Sequence, residues 1–358
     1  MKNILIFGGV DPFGRSMALH ALREGDYETI RVVDRIVPEV SFFPPWDLKL
    51  FCKLEVYHMD IGSANLDSRK IDQAFSLPEG QRWDLVIHGY YHCHLHGTAK
   101  VREALMPDHV EYLVNRARLI GEGAVRYGSR LLIYITRTSL CRWTPKMGRF
   151  KDNHVLTAWR NNIRSEGEIS MGMVLSLALR EAPNPSFSCF YEESDRLDTI
   201  HVEDATRAVF HAAHWYIQGQ HEGVRTFNVS DDKGFSLKEQ LHMICQVFNI
   251  PCRDLPRPMR ALAKRALKIG WLTDILIKRC QDDWITILNE DGITSTPIDY
   301  ILDHEVLATP WGVFLDSTLF REETGFKCIH LCLTEGHIYG LLRYWTEIRA
   351  WPRDQTKR

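Results

Sequence analysis

The feature that most constrains the fold is the alternation of short apolar segments with helical patterns over residues 1–140. The apolar segments are continuous rather than alternating with polar residues, which is typical of strands buried on both faces. Apolar residues at helical spacing lie between them, over 13–24 and 110–120. The pattern predicts an α/β fold, a doubly wound and mostly parallel sheet with helices on both faces. The predicted strands are Asn3–Phe7, Ile30–Val33, Leu54–Met59, Asp84–His88 and Leu131–Ile135.

A glycine-rich turn lies between the first strand and the first helix. Its sequence is Gly8-Gly9-Val10-Asp11-Pro12-Phe13-Gly14, with Gly8 and Gly14 at the outer positions of a GxxGxxG pattern. Such a turn lets the backbone approach a pyrophosphate, whose charge the helix N-terminus stabilises. The middle position is Asp11, which brings negative charge toward that site, and Pro12 has no N–H donor. The context predicts a Rossmann-type unit and leaves open whether NAD or NADP binds.

Asp34 ends the second strand and is the acid expected about 20 residues after such a turn. An acid at this position binds the ribose hydroxyls of NAD, whereas the adjacent Arg35 is suited to the 2′-phosphate of NADP. We therefore predict that Gly8, Gly14, Asp34 and Arg35 contact a cofactor if one binds.

Composition excludes several classes of protein. Lys+Arg 44 against Asp+Glu 46 gives a net charge of -2, which argues against a nucleic-acid binder. No apolar run reaches the roughly 18 residues of a membrane span. The first apolar run breaks at Gly8, too early for a signal peptide, so we predict a cytoplasmic protein. The nine cysteines form no CxxC pair, which favours reduced, buried thiols, and we predict no metal.

The rest of the chain predicts further helices and a smaller, mainly helical C-terminal cap. Helical patterns cover 157–180, 204–217 and 237–248, and extended segments cover 187–191 and 226–229. Asp204 and Ser236 are the predicted N-caps of the second and third of these helices. The basic stretch 257–279 favours a solvated cap helix, with contact to an anionic membrane surface as the alternative. The predicted domains are a Rossmann-type unit (1–186 with 200–248), a substrate and cap region (187–199 with 249–335), and a C-terminal helix and tail (336–358).

Segments in order along almost the whole chain resemble the extended short-chain dehydrogenase/reductase superfamily, of the NAD-dependent epimerase/dehydratase type. The glycine turn is similar to the family's turn, and Asp60 in Met59-Asp60-Ile61 to its adenine-contacting Asp. The resemblance implies a Rossmann fold and NAD or NADP as cofactor, with Asp60 added to the predicted contacts. The other similar segments are Asp84–His88, Ile200–Asp204, Phe227–Val229, Asp316 and Thr324–Phe326.

The resemblance also implies a Ser or Thr after the fifth strand and a Tyr-x-x-x-Lys pair on the next helix, where the Tyr is the acid/base. Here Arg137 stands at the hydroxyl position, next to Thr138, and Arg160 and Arg164 align with the Tyr and Lys. No tyrosine occurs between Tyr134 and Tyr191. Guanidinium stays protonated and cannot replace the phenol, so ordinary hydride transfer would lack its main acid/base.

Two arginines spaced i and i+4 on a helix place two cations on one face. They can bind a carboxylate or stabilise an oxyanion that develops during a reaction. The alternative is that Arg160 and Arg164 pair with nearby surface acids. The segment after the fourth strand, His88 to His96, adds Tyr91 and His92 as candidate proton relays, or as ordinary loop residues. Glu192 and Glu193 are further candidate bases, or a solvated turn.

These observations lead to three functional hypotheses. The first is a divergent enzyme of specialised metabolism that catalyses a non-redox isomerisation, cyclisation or elimination on a small apolar molecule. Its catalytic candidates are Arg160, Arg164, Tyr91, His92, Arg137 and Thr138. The second is an NAD(P)-dependent oxidoreductase or epimerase with an unconventional proton donor. The third is a non-catalytic regulator that binds a nucleotide or metabolite. A homodimer is compatible with each hypothesis.

Overall fold

A six-stranded parallel sheet forms the centre of the N-terminal part of the protein. Its strands are β1 (Asn3–Phe7), β2 (Thr29–Asp34), β3 (Glu55–His58), β4 (Leu85–His88), β5 (Leu132–Arg137) and β6 (Thr157–Arg160). They lie in the order β3-β2-β1-β4-β5-β6, with every neighbouring pair parallel. The predicted α/β fold and its first five strands are confirmed. The computed structural model describes residues 1–24, 27–37, 43–62, 68–89, 99–137, 157–160, 163–164, 186–194, 196–197, 200–231, 235–267, 269–296 and 316–353.

Helices cover both faces of this sheet, as the apolar strands require. Residues of β1 alternate between the two faces: Ile4 and Ile6 pack in one core cluster, Leu5 and Phe7 in another. The first cluster includes α1 (Pro12–Glu24) and α5 (Val202–Gln218), and the second includes α3 (Ser68–Phe75) and α4 (Ala99–Arg126). The short helix α2 (Pro45–Phe51) packs beside the first cluster.

The helix predicted over 157–180 is wrong at its start. Residues 157–160 form strand β6 beside β5, and β7 (Ile163–Arg164) pairs with β10 (Ile200–His201). Thr157, Trp159 and Ile163 favour strands, and pairing with β5 and β10 prevails over the helical spacing. Arg160 and Arg164 therefore do not share a helix face. The remainder, 165–180, lies outside the described residues.

Smaller strand pairs and helices make up the C-terminal part. β8 (Phe187–Cys189) pairs with β12 (Cys252–Asp254) in parallel, and β9 (Arg196–Leu197) pairs with β11 (Phe235–Ser236) in antiparallel orientation. Segment 226–229, predicted to be extended, belongs to none of the described strands, although Phe227 is buried. The helices are α6 (Leu237–Val247), α7 (Arg257–Ala266), α8 (Gly270–Glu290), α9 (Thr318–Thr324) and α10 (Glu335–Glu347).

A separate apolar core holds the C-terminal helices together. Trp284 of α8, Trp345 of α10 and Trp351 pack side by side in it. Helix α6 packs in this core through Leu241 and Ile244, whereas the predicted domain boundaries assign 237–248 to the Rossmann-type unit. Those boundaries stay a prediction.

Helix termini show how local sequence sets these elements. Ser236 caps α6, as predicted, and the structure adds the reciprocal bond from Glu239 that completes a capping box. Gly325, in the left-handed conformation with φ 72°, ends α9. Asp204, predicted to cap α5, does not: the cap is His201, whose ring accepts the Glu203 N–H.

The basic segment forms α7 and the first half of α8. Within α7 none of the described side chains is buried, which agrees with a solvated helix. Over the described part of the chain, the helices are either too short or too polar to cross a membrane.

Candidate functional site

The glycine turn after β1 has the backbone geometry of a phosphate-binding turn. Gly8 has φ +80°, which an L side chain rarely adopts, and its N–H donates to the Val33 carbonyl at 2.8 Å. A Cβ at Gly14 would overlap the Gly8 carbonyl oxygen. Both outer glycines are therefore required for the turn itself, whatever binds beside it.

The Asp11 carboxylate accepts a backbone N–H group at the start of α1. Its Oδ1 accepts the Gly14 N–H at 2.7 Å, and its main-chain oxygen accepts the Arg15 N–H at 2.7 Å. Pro12, the first residue of the helix, has no N–H. The helix N-terminus, which in this fold class stabilises a diphosphate, thus already has an anion from its own chain.

Asp34 is also committed to the backbone. Its Oδ2 accepts the Val10 N–H at 2.9 Å and its Oδ1 accepts the Ile36 N–H at 3.0 Å. The residue is only 1% exposed, and this burial raises the pKa of its carboxyl, against the lowering effects of the Val10, Ile36 and Arg35 N–H groups and of the Arg35 charge. The carboxylate braces the turn from below instead of facing solvent, where ribose hydroxyls would approach.

The remaining predicted cofactor contacts lie at the same sheet edge. Asp60 is exposed just after β3, and its Oδ1 accepts the Tyr112 hydroxyl at 2.6 Å. Burial and this hydrogen bond raise the pKa of Tyr112. Arg35 follows β2, and its carbonyl oxygen lies 2.7 Å from His58 Nε2.

These residues do not fit a dinucleotide in the usual way. Asp11 would face the diphosphate with like charge, and Asp34 is only 1% exposed, so its carboxylate would have to move toward solvent to reach a ribose. Asp60 and the two glycines keep positions that fit one. The turn therefore keeps its backbone shape, whereas Asp11 makes the place where a diphosphate would lie negatively charged.

The catalytic candidates divide between described and undescribed parts of the chain. Arg137 ends β5 and Arg160 ends β6, and the two are register partners on adjacent parallel strands. Arg164 lies on a different pair, opposite His201. Tyr91, His92 and Thr138 lie outside the described residues. The structure thus brings Arg137 and Arg160 together at the carboxyl edge of the sheet, where open α/β folds bind ligands.

His88, the last residue of β4, lies beneath this edge. It is 2% exposed and stacks on Tyr134 of β5 with ring centroids 4.3 Å apart. Burial, together with the charge of Arg116, lowers its pKa to about 3. His88 is therefore a neutral imidazole near neutral pH.

The candidate bases Glu192 and Glu193 face cations. Glu192 lies 3.8 Å from Arg260, and Glu193 lies 3.6 Å from Lys238. The two carboxylates are 45% and 85% exposed, so these are ion pairs of a solvated surface.

Three constellations were missed by sequence reasoning. Arg15 of α1 donates to the Tyr344 hydroxyl of α10 at 2.8 Å and lies over the Phe43 ring at 4.8 Å. The two others are groups of metal-ligand type: His201 with His330 and His337, and Cys189 with His242 and Asp254. The members of each group are far apart in sequence. The only sequence signals were the short spacings His242-x2-Cys245 and Cys252-x-Asp254, each of which contains one member of the second group.

Comparison with known proteins identifies the fold. By sequence, no protein-family model and no curated protein matches the chain. A UDP-glucose 4-epimerase superposes with TM-score 0.60 at 14% identity, covering 99% of this chain and 100% of its own. The epimerase Mth375 from Methanothermobacter thermautotrophicus gives TM-score 0.58 at 14% identity, covering 97% and 94%. The chain has the fold of these epimerases. The Bordetella bronchiseptica enzyme WbmG, solved with NAD and UDP, shares this epimerase fold with TM-score 0.57 at 16% identity, covering 97% and 95%.

Proposed function

We propose that this protein is an enzyme with the epimerase fold that acts on a small apolar molecule without hydride transfer. The reaction class is an isomerisation, cyclisation or elimination. The observation that carries the proposal is the Asp11 carboxylate bonded to the Gly14 N–H at 2.7 Å, at the place where this fold holds a diphosphate. With Asp34 buried beneath the turn at 1% exposure, the turn is poorly suited to a tightly held dinucleotide.

The missing tyrosine supports the same conclusion. Without a phenol between Tyr134 and Tyr191, the acid/base that the resemblance implies for carbinol oxidation is lacking. Isomerisation through an enolate needs no electron acceptor: a base removes a proton beside a carbonyl, and the proton returns at another atom. Such a reaction needs hydrogen-bond donors or a cation beside the developing oxyanion, and a guanidinium group supplies both.

Arg137 and Arg160 are our candidates for that cation. They are register partners on β5 and β6, so their Cα atoms are about 4.8 Å apart, as in any pair of neighbouring strands. Two guanidinium groups starting from neighbouring strand ends suit a carboxylate or an enolate oxygen. Arg164, on the β7–β10 pair, would act from a second position. Tyr91 or His92 is proposed to move the proton, with Thr138 as a neighbouring hydroxyl.

The proposed function is tested by looking for a conversion that proceeds without added NAD or NADP. The purified protein is incubated with a low-molecular-mass extract of the source cells from which dinucleotides have been removed, and products are followed by mass spectrometry. We expect a conversion without change in mass, or with loss of a small neutral molecule, that Arg137→Ala or Arg160→Ala reduces at least 100-fold. Arg126→Ala, which removes a surface partner of Asp72, is the matched control and retains activity. A conversion that requires NAD(P) contradicts the proposal, and ligand binding without any conversion favours a regulator.

The second candidate is an NAD(P)-dependent oxidoreductase or epimerase, favoured by the retained geometry of Gly8 and Gly14. Calorimetric titration of NAD into wild type and Asp11→Gly separates the two. If Asp11 blocks the diphosphate, Asp11→Gly binds NAD about tenfold more tightly, equivalent to about 1.4 kcal/mol. Asp11→Asn keeps a capping oxygen without the charge and serves as the control. Wild-type binding as tight as that of Asp11→Gly supports the second candidate.

A further inference from the structure

The C-terminal core contains a cluster of thiol, imidazole and carboxylate groups that the proposed reaction does not use. Cys189 Sγ, one ring nitrogen of His242 and one carboxylate oxygen of Asp254 all lie within 4.8 Å of one another. They come from β8, α6 and β12, so three elements converge on one point. We propose that Cys189, His242 and Asp254 bind a zinc ion, with solvent at the fourth position.

Secondary structure places these groups together. Asp254 and Cys189 are register partners in the parallel β12–β8 pair. On α6, Lys238, His242 and Cys245 follow at spacings of four and three residues and lie along one face of the helix. That face meets β12, because Lys238 and His242 both contact Asp254 and Cys245 forms a hydrogen bond with Cys252.

The distances fit a tetrahedral zinc ion. His242 Nε2 lies 3.0 Å from Asp254 Oδ1. Zinc bonds of about 2.0–2.3 Å separate neighbouring ligand atoms by roughly 3.3–3.8 Å, so the ion can replace the proton between these two atoms with small shifts. Lys238 Nζ lies 2.8 Å from the other oxygen, Oδ2, and thereby orients the carboxylate with Oδ1 toward the ion.

Burial and charge fit the same ion. Cys189 is fully buried, while the side chains of His242 and Asp254 are 35% and 43% exposed, which gives a metal a route from solvent. One thiolate, one carboxylate and a neutral imidazole balance the charge of Zn²⁺, and each of these ligand types binds zinc in proteins. Burial raises the pKa of the Cys189 thiol, so zinc must displace its proton and should bind more tightly as pH rises.

The histidine cluster (His201, His330 and His337) is a weaker metal site. The Nδ1 atoms of His201 and His337 accept backbone N–H groups, so in the neutral rings Nε2 carries the proton. Binding a metal through Nε2 would break both of these hydrogen bonds. These rings serve the helix termini of α5 and α10 instead.

Titration with Co²⁺ under reducing conditions tests the proposal, because a thiolate–cobalt bond gives a charge-transfer absorption that histidine sites lack. The metal-free protein should take up one Co²⁺ with this absorption, Zn²⁺ should displace it, and Zn²⁺ should raise the Tm. Cys189→Ser should abolish the absorption, and His242→Gln should weaken Zn²⁺ binding at least about 100-fold while retaining the wild-type circular dichroism. His242 is partly exposed, so this variant remains informative if Cys189→Ser does not fold.

Two controls complete the experiment. Cys328→Ser removes a thiol near Ser230, and His330→Gln disrupts the histidine cluster; both should bind Co²⁺ and Zn²⁺ as wild type does. The proposal is overturned if the charge-transfer absorption is absent, if Cys189→Ser or His242→Gln binds as tightly as wild type, or if His330→Gln alone abolishes binding. None of these readouts depends on the proposed reaction.

Discussion

Asp34 below the glycine turn and Asp204 at the start of α5 are held in the same way in two regions of the molecule. Each is almost completely buried, at 1% and 0% exposure, and each accepts two backbone N–H groups. Asp34 holds Val10 and Ile36 at the turn, whereas Asp204 holds Ile329 and His330 and also pairs with Arg207 at 2.7 Å.

The difference lies in the compensation of charge. Asp204 has a guanidinium partner, while the groups bonded to Asp34 are backbone amides, and burial raises the pKa of Asp34. A buried carboxylate with two amide donors is a structural brace in both regions. The comparison teaches that an acid at the ribose-binding position of this fold can serve the backbone alone, which is why sequence position did not settle its role.

Replacing Asp34 or Asp204 by asparagine should lower the free energy of unfolding, and the loss should be larger at Asp204. An amide oxygen accepts only one of the two N–H groups, and Asp204→Asn also leaves Arg207 without its carboxylate, for a loss of about 3 kcal/mol in the free energy of unfolding. Asp34→Asn should lose about 1–2 kcal/mol. Urea unfolding measures both. Asp72→Asn, in an exposed pair with Arg126, should change less than about 1 kcal/mol. Equal losses at Asp34 and Asp204 would refute the role of the guanidinium.

Gly14→Ala should destabilise the glycine turn held by Asp34 and leave the region held by Asp204 unchanged. The new Cβ overlaps the Gly8 carbonyl, so we expect a loss of about 1–3 kcal/mol by thermal or urea unfolding. Gly340→Ala in α10 is the matched control, since nothing lies within 4 Å of its added Cβ. It should stabilise the protein by up to about 1 kcal/mol. A neutral Gly14→Ala would show that the turn is not tightly packed.

The sequence predicted the part of the fold that depends on local signals. Apolar runs with glycine or aspartate at their ends located β1 and β2, and Ser236 located the start of α6. It could not predict contacts that depend on distant pairing. Residues 157–160 form a strand because they pair with β5. His201 caps α5 in place of Asp204, because the Asp204 carboxylate accepts the N–H groups of Ile329 and His330. Cys189 and Asp254 meet for the same reason, through β8–β12 pairing.

The Asp204 region should also respond to pH through His201. Burial and the neighbouring His330 and His337 lower the pKa of His201 from 6.5 to about 4. As the pH falls, the unfolded chain therefore takes up this proton before the folded chain does. The contribution of His201 to the free energy of unfolding is complete above pH 6.5 and falls as the pH drops toward 4. His201→Asn keeps a capping side chain but cannot be protonated, and should flatten that fall. Urea midpoints between pH 7 and 4 measure it. His221→Asn, outside the cluster, should keep the wild-type dependence.

The smallest effect is expected at the hydrogen bond between Arg15 of α1 and Tyr344 of α10. Tyr344→Phe removes the hydroxyl that accepts from Arg15 at 2.8 Å but keeps the ring beside the guanidinium, 6.0 Å from its centroid. Because Arg15 is only 8% exposed, the loss should be about 1 kcal/mol in urea unfolding, below that of either buried aspartate. Tyr339→Phe, 46% exposed on the same helix, should be neutral. A loss at Tyr344 as large as at Asp204 would mean that this hydrogen bond contributes as much to stability as the buried Asp204 carboxylate.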